Sequence, residues 1–265
     1  MPRHIRKIGV FDSGIGGLTV LKCLMDVIPD IDMVYLGDCA RLPYGTKSPK
    51  TILHYSLQCA RFLASKGIDL LVVACNTASA HALGALEEEL DIPVVGVIEA
   101  GARAAVKSGG RRIGVIGTPT TIKSGAYVRV MNEIAPGLEI FPQACPLFVP
   151  LVEEGWFADD ITEQIARRYL SGLINVRIDT LLLGCTHYPL LKGVLQKVVG
   201  DSVAIVDSAM SIAHVVSEIV EKPGAHAYTR EVVYFLSDRS FRFIEIGEII
   251  LGHEMKYVYD VDLCV

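Results

Sequence analysis

The sequence DLLVVACNT at residues 69–77 is repeated as DTLLLGCTH at residues 179–187. In each copy an apolar run with the length of a buried strand ends in a cysteine, and small polar residues that can begin a helix follow. A second pair, IGVFDS at 8–13 and IGVIGT at 113–118, has nearly the same separation, and a looser third pair is VIEA at 97–100 and IVDS at 205–208. The sequence therefore predicts a duplicated α/β unit with one cysteine, Cys75 or Cys185, at the same strand end of each copy.

Apolar strands alternate with helical patterns along the whole chain, which is typical of a parallel sheet covered by helices on both faces. We predict strands at 7–12, 32–37, 70–74, 93–97, 112–117, 138–141, 179–184 and 203–207. The clearest helices are predicted at 17–28, 49–66, 78–90, 158–174 and 189–199. The predicted fold class is α/β, with two pseudo-symmetric domains, each a mostly parallel sheet flanked by helices, and a cleft between them.

The C-terminal part of the chain has no counterpart after the first repeat. It is predicted to contain a helix at 209–221, a loop at 223–224, a strand at 231–236, a helix at 238–252 and a short strand at 256–261. We expect this part to return to the first domain. The first domain is therefore predicted to contain residues 1–97 and 209–265, and the second residues 98–208.

Composition excludes several classes of function. The chain has 265 residues, of which 51% are hydrophobic and 21% charged, and a net charge of −5, which disfavours a nucleic-acid or anionic membrane surface. No apolar run approaches the roughly 18 residues of a membrane span, and no signal-peptide core follows the basic N-terminus. The seven cysteines include no Cys-x-x-Cys pair, so we expect free thiols, no zinc site and a cytoplasmic location.

Two thiols on opposite sides of one ligand could remove a proton from one face of a carbon and return a proton to the other face. Cys75 and Cys185 each precede a predicted helix start, where backbone N–H groups favour the thiolate. Either cysteine by itself would be assigned to packing, but the repeat favours a functional pair. His187 lies two residues after Cys185 and could exchange protons with that thiol or with a substrate.

The glycine-rich segment DSGIGG at residues 12–17 follows the first strand. A dinucleotide fingerprint would need a further glycine at position 19, which is Thr19, and the carboxylate of Asp12 would repel a pyrophosphate. Exposed backbone N–H groups beside Asp12 suit a small anionic ligand, with Asp12 acting on a proton or an ammonium group. Further donors at strand ends, which suit an amino acid, are Asn76, Thr77, Thr118, Thr121 and Thr186.

These motifs resemble those of the cofactor-independent glutamate racemases of bacterial cell-wall synthesis. The matching segments are FDSGIGG at 11–17, RLPYG at 41–45, ACNTAS at 74–79, LVE at 151–153 and GCTHYPL at 184–190, in that family's order. The resemblance covers most of the chain. It implies a cleft that holds D- or L-glutamate without pyridoxal phosphate or metal, and we expect a homodimer with no nucleic-acid or membrane partner.

The resemblance also implies residue roles. Cys75 would deprotonate D-glutamate with help from Asp12, and Cys185 would deprotonate L-glutamate with help from His187, with Glu153 nearby. The residues implied to hold the substrate are Asp12, Ser13, Pro43, Tyr44, Gly45, Cys75, Asn76, Thr77, Thr118, Thr121, Cys185, Thr186 and His187.

Two features depart from the family's pattern. Cys39 stands where the family is expected to have threonine, so an extra thiol is expected near the mouth of the site. The segment before the first strand is short, whereas members regulated by a cell-wall precursor carry an N-terminal extension, so that regulation is not expected here.

The predicted function is interconversion of D- and L-glutamate by two-thiol proton transfer, supplying D-glutamate for peptidoglycan synthesis. One alternative is an aspartate racemase of the same superfamily. Comparing activity on glutamate and on aspartate, which differ by one carbon, would distinguish the two functions. Another is a non-catalytic ligand-binding protein, because fold does not determine function. A racemisation assay on the purified protein would distinguish a binding protein from an enzyme.

Overall fold

The computed structural model describes residues 4–221 and 230–263, and these residues form two parallel sheets, of six and four strands. The strands are β1 (Lys7–Asp12), β2 (Asp32–Gly37), β3 (Leu70–Val73), β4 (Val94–Gly96), β5 (Arg112–Gly117), β6 (Glu139–Ala144), β7 (Thr180–Gly184), β8 (Ala204–Asp207), β9 (Val232–Leu236) and β10 (Tyr257–Asp260). The first sheet has the order β10-β9-β2-β1-β3-β4, and the second β6-β5-β7-β8.

Helices connect these strands. They are α1 (Leu18–Val27), α2 (Pro49–Ser65), α3 (Asn76–Glu89), α4 (Val97–Lys107), α5 (Pro119–Ser124), α6 (Ala126–Ile134), α7 (Phe148–Glu153), α8 (Asp160–Asn175), α9 (Lys192–Val199), α10 (Ser208–Ile219) and α11 (Phe241–Leu251). Among the described residues no helix is long and apolar enough to cross a membrane. The predicted loop at 223–224 lies outside the described residues.

The predicted fold class is confirmed, and the two sheets repeat each other strand by strand. The order β2-β1-β3-β4 in the first sheet corresponds to β6-β5-β7-β8 in the second, with parallel pairing throughout both sets. Strands β9 and β10 extend the first sheet beyond β2. Helix α10 packs against α1 and α4 and so lies between the two sheet units.

The central strands are buried almost completely, as expected for parallel strands covered by helices on both faces. All residues of β3 and β7 are buried, and only the first residue of β1 and of β5 is not. Their carboxyl ends therefore lie inside the molecule.

Two local predictions differ from the structure. The third pair of similar segments is not structurally equivalent, because Val97 begins α4 whereas Ile205 lies within β8. Helix α3 begins at Asn76, directly after Cys75, and not at residue 78 as predicted. The short helices α5 and α7 were not predicted, since six residues carry too little periodicity to identify a helix.

Candidate active site

The carboxyl ends of four strands meet around one enclosed cavity between the sheets. Asp12 ends β1 and Cys75 follows β3 in the first sheet, while Thr118 follows β5 and Cys185 follows β7 in the second. Parallel strands present their carboxyl ends at one edge of a sheet, so residues distant in sequence come together there. The space between the lining atoms, open solvent included, is about 280 Å³.

Most of the predicted site residues line this cavity: Ser13, Pro43, Tyr44, Gly45, Cys75, Asn76, Thr77, Thr118, Cys185, Thr186 and His187. Asp12, Thr121 and Glu153 hydrogen-bond to residues of the lining. Leu42 and Val149 also line it. The sequence analysis missed these two, because nothing in sequence distinguishes an apolar cavity wall from the ordinary core.

Cys75 is the N-cap residue of α3, and its Sγ lies 3.6 Å from Ser13 Oγ. Burial, followed by the negative charge of Asp12, raises the pKa of this thiol to about 12. The backbone N–H of Ala78 in the first turn of α3 lowers the pKa, as predicted for a helix start, but less than burial raises it. In the enclosed cleft the thiolate of Cys75 is therefore disfavoured overall, although the helix start favours it.

Cys185 lies beside a buried histidine that pairs with a carboxylate. His187 Nδ1 is 3.9 Å from Cys185 Sγ, and His187 Nε2 is 2.6 Å from Glu153 Oε1. Burial by itself would lower the pKa of His187, but the hydrogen bonds and charges of Cys185 and Glu153 raise it well above its usual value of 6.5. These interactions favour the protonated form of His187, whose ring lies within reach of Cys185.

Asp12 is fully buried and connects the two sheets. Its Oδ2 accepts hydrogen bonds from the N–H groups of Gly14 and Gly17, both at 3.0 Å, and its Oδ1 accepts one from Thr186 Oγ1 at 3.2 Å. These two glycine N–H groups, expected to face a ligand, are instead occupied by Asp12. Burial raises the pKa of Asp12 to about 6, although the charge of His187 and these hydrogen bonds oppose it. Asp12 can therefore gain or lose a proton near neutral pH.

Glycine at position 16 allows the first loop to approach the second sheet unit. A Cβ at this position would collide with the imidazole of His187 and with Thr186. Thr19 Oγ1 donates a hydrogen bond to the carbonyl of Gly16 at 2.8 Å and lies 3.3 Å from the carbonyl of Thr186. The glycine-rich segment thus serves close packing of the two halves of the site.

Three threonine hydroxyls form a buried cluster on one wall of the cavity. Thr77 Oγ1 lies 2.9 Å from Thr118 Oγ1 and 3.0 Å from Thr121 Oγ1, and the latter two are 2.9 Å apart. Thr77 belongs to α3 of the first sheet unit, whereas Thr118 caps α5 of the second. Hydroxyls that can donate or accept in turn suit a carboxylate ligand.

Tyr44 lines the cavity, but its hydroxyl is bound to another side chain of the protein. The phenol donates to the buried carboxylate of Asp38, which also accepts from Arg41 Nε and from Ser237 Oγ. The network holds the segment 42–46 against the cleft and leaves the Tyr44 hydroxyl unavailable to a ligand. Asp38 directly follows β2, and that strand-end position was the signal that the sequence analysis missed.

Cys39, the departure from the family pattern, lies near the site and outside the cavity lining given above. Burial and the negative charges of Glu153 and Asp12 raise the pKa of its thiol well above the usual value. Within residues 4–221 and 230–263, no group of three or more His, Cys, Asp or Glu side chains could hold a metal ion.

Comparison with known proteins agrees with this geometry. The model of the Asp/Glu/Hydantoin racemase family matches residues 19–216. A glutamate racemase of Geobacter metallireducens is 52% identical over 97% of both chains. Crystal structures of the glutamate racemases of Francisella tularensis, in complex with D-glutamate, and Thermus thermophilus, in complex with beta-chloro-D-alanine, have TM-scores of 0.89 and 0.84. Their sequence identities are 37% and 39%, and the matches cover 98% and 97% of both chains respectively.

The family resemblance predicted from the motifs is thereby confirmed, since the match extends over nearly the whole chain. The chain belongs to the Asp/Glu/Hydantoin racemase family, and the three relatives named above, which it matches over nearly its full length, are glutamate racemases.

Proposed function

We propose that this chain interconverts D- and L-glutamate by proton transfer between two thiols at the α-carbon. The observation that carries the proposal is the presence of Cys75 and Cys185, one from each sheet unit, in the lining of a single enclosed cavity. The enzyme is an isomerase of the amino-acid racemase class. D-Glutamate for peptidoglycan synthesis is the product that we expect the cell to use.

The reaction balances with one proton removed and one returned. The thiolate of Cys75 takes the α-proton of D-glutamate, and the electron pair of the broken C–H bond stays on the α-carbon. The thiol of Cys185 then donates its proton to the opposite face, which yields L-glutamate and leaves Cys185 as the thiolate. The reverse direction uses the same two groups in exchanged roles.

The electrostatics of the cavity favour one thiolate at a time. The negative charge of Cys185 raises the pKa of Cys75, and Asp12 acts in the same sense. The ammonium group of the substrate supplies a positive charge that favours a thiolate at Cys75, because opposite charges interact strongly in a site without water. Protonated His187 is positioned to return a proton to Cys185.

Fixed donors would hold the substrate and stabilise the carbanion, which has no cofactor to accept its charge. Hydroxyl groups of Ser13, Thr77 and Thr186, with the amide of Asn76, line the cavity and suit the two carboxylates of glutamate. Cys75 is 4% exposed and Cys185 6% exposed. Substrate entry therefore requires the two halves of the site to separate, and closure would exclude water before proton transfer.

The decisive experiment follows the circular dichroism of purified protein with D- or L-glutamate in buffer without pyridoxal phosphate, nucleotide or added metal. We expect both enantiomers to reach the racemic mixture. In deuterated water the product should gain deuterium at the α-carbon, because the donating thiol has exchanged with solvent. Absence of racemisation would overturn the proposal, and faster racemisation of aspartate would favour the alternative substrate.

We also propose the domain division 1–97 with 209–265 against 98–208. It is supported by β9 and β10, which belong to the first sheet although they follow the second in sequence. Limited proteolysis would test it, since cleavage is expected near the boundaries first. The proposal includes a cytoplasmic location, supported by six free thiols among the described cysteines, which a reducing compartment maintains.

A homodimer is part of the proposal as well. Phe241 and Ile249 on α11 are 85% and 64% exposed, and Trp156 is 43% exposed. Large exposed apolar side chains of this kind are covered in many proteins by a second subunit. Sedimentation velocity should show a dimer that Phe241→Glu weakens, and an unchanged monomer at micromolar concentration would exclude it.

A further inference from the structure

Of the two polar atoms in the side-chain amide of Asn76, the oxygen has a hydrogen-bond partner among the described residues and the nitrogen has none. Asn76 is 2% exposed and lines the cavity, and its Oδ1 accepts a hydrogen bond of 2.5 Å from the hydroxyl of Tyr127. Its Nδ2 is buried and has no hydrogen-bond partner among the described residues. A buried amide nitrogen without an acceptor is costly, so such a group in a ligand cavity points to an acceptor on the ligand.

We propose that Tyr127 is a positioning residue for substrate binding. By holding the amide oxygen of Asn76, it directs Nδ2 toward the cleft, where Nδ2 donates to a carboxylate of the bound amino acid. This inference rests on the proposed function, because it names how one of the substrate-binding residues is oriented.

Tyr127 is built into the second sheet unit. It lies on α6 and is 3% exposed. A Cβ on Gly184 would come within 2.9 Å of its ring, and one on Gly101 within 3.2 Å of its hydroxyl, so glycine at both positions leaves the space that the side chain occupies. The Tyr127 hydroxyl therefore reaches Asn76 from a fixed position across the boundary between the two units.

The direction of the hydrogen bond between Tyr127 and Asn76 determines the orientation of the amide. A hydrogen bond from Ser208, the first residue of α10, lowers the pKa of Tyr127, although burial raises that pKa more. The phenol has a single proton, which it donates to Asn76 Oδ1. The partner of that proton must be the amide oxygen, because the amide nitrogen only donates. The hydrogen bond from Tyr127 to Asn76 Oδ1 thus favours the orientation of the amide in which Nδ2 is free to donate elsewhere.

Tyr127→Phe tests the inference, because it removes the hydroxyl and leaves the ring. Without the hydroxyl the amide can turn by 180° and present its oxygen to a carboxylate. We expect the KM for glutamate to rise about tenfold or more, the size expected when a hydrogen bond to a charged group is lost, with a smaller change in kcat. The equilibrium constant of a racemisation is one, so kcat/KM must fall equally for both enantiomers.

A double-mutant cycle separates positioning from a purely structural role. In an Asn76→Ala background, Tyr127→Phe should change KM no further, because the amide that it orients is gone. Tyr234→Phe is the matched control, since it also removes a buried tyrosine hydroxyl, one that has no hydrogen-bond partner among the described residues. Its KM should equal that of the wild type.

The outcomes distinguish this inference from the proposed function. Wild-type protein that fails to racemise glutamate overturns the proposed function, and calorimetric titration with D-glutamate then tests the positioning role by itself. An unchanged KM in Tyr127→Phe, with lower thermal stability only, overturns the inference. If that variant does not fold, Asn76→Asp keeps an acceptor for Tyr127 and replaces the donor, and an unchanged KM there overturns the inference equally.

Discussion

Replacing Glu153 by glutamine should remove the charge that keeps His187 protonated. His187 is 1% exposed, and its Nε2 lies 2.6 Å from Glu153 Oε1. Glutamine can still accept this hydrogen bond, so the variant isolates the effect of the charge. With the charge gone, burial lowers the pKa of His187 with less to oppose it. We therefore expect His187 to lose its proton at a lower pH than in the wild type.

The expected magnitude follows from the burial of the pair. The raised pKa of His187 contributes stability that is fully present below the unfolded pKa of 6.5 and is lost as the pH rises through the folded pKa. Breaking a fully buried pair costs about 3–5 kcal/mol. The Glu153 side chain is 27% exposed, and solvent screening reduces the expected loss to about 1–3 kcal/mol at pH 6. The loss should be smaller at pH 9.5.

Urea unfolding at the two pH values measures this difference, and the pH profile of kcat/KM measures its effect on activity. The alkaline limb should move to lower pH in Glu153→Gln. Glu154→Gln is the matched control, because the neighbouring Glu154 pairs with Arg242 at 3.8 Å in an exposed position and should leave both measurements unchanged. An equal loss of stability at both pH values, or an unchanged NMR titration of the His187 ring, would refute the reasoning.

Three further predictions concern the thiols, the glycine-rich loop and metal dependence. Replacing Cys75 or Cys185 by serine should abolish racemisation. Cys185→Ser should still eliminate the leaving group from a β-chloro D-amino acid, and Cys75→Ser from the L enantiomer. Equal rates on both enantiomers in both variants would rule out a face-specific pair. Gly16→Ala should lower the free energy of unfolding by about 1–3 kcal/mol and abolish activity, because the new Cβ collides with His187. Gly84→Ala is the control: it lies in open space on α3 and should raise the free energy of unfolding by about 0.5–1 kcal/mol. Chemical denaturation would measure both changes. Exhaustive chelation should leave the racemisation rate unchanged, and restoration of lost activity by a divalent ion would contradict that.

Much of the architecture was predictable because strand pattern and repetition are local properties of a sequence. The repeated strand ends at Cys75 and Cys185 predicted both the duplicated unit and the two residues that the cavity brings together. A short element such as α7 was not predictable, since its one or two turns are stabilised by the surrounding core and not by its own sequence pattern.

The sequence by itself determined most of the polar and thiol groups of the cavity, because the strands of a parallel α/β unit have their carboxyl ends at the same edge. Only the tertiary structure decided how those groups are partnered. The carboxylate of Asp12 accepts hydrogen bonds from two glycine N–H groups, and that of Asp38 accepts one from the hydroxyl of Tyr44. The hydroxyl of Tyr127 donates to the amide oxygen of Asn76. Burial raised the pKa of Cys75 more than its helix start lowered it. Hydrogen-bond partners and desolvation depend on residues far apart in the chain, so the local sequence pattern does not predict them.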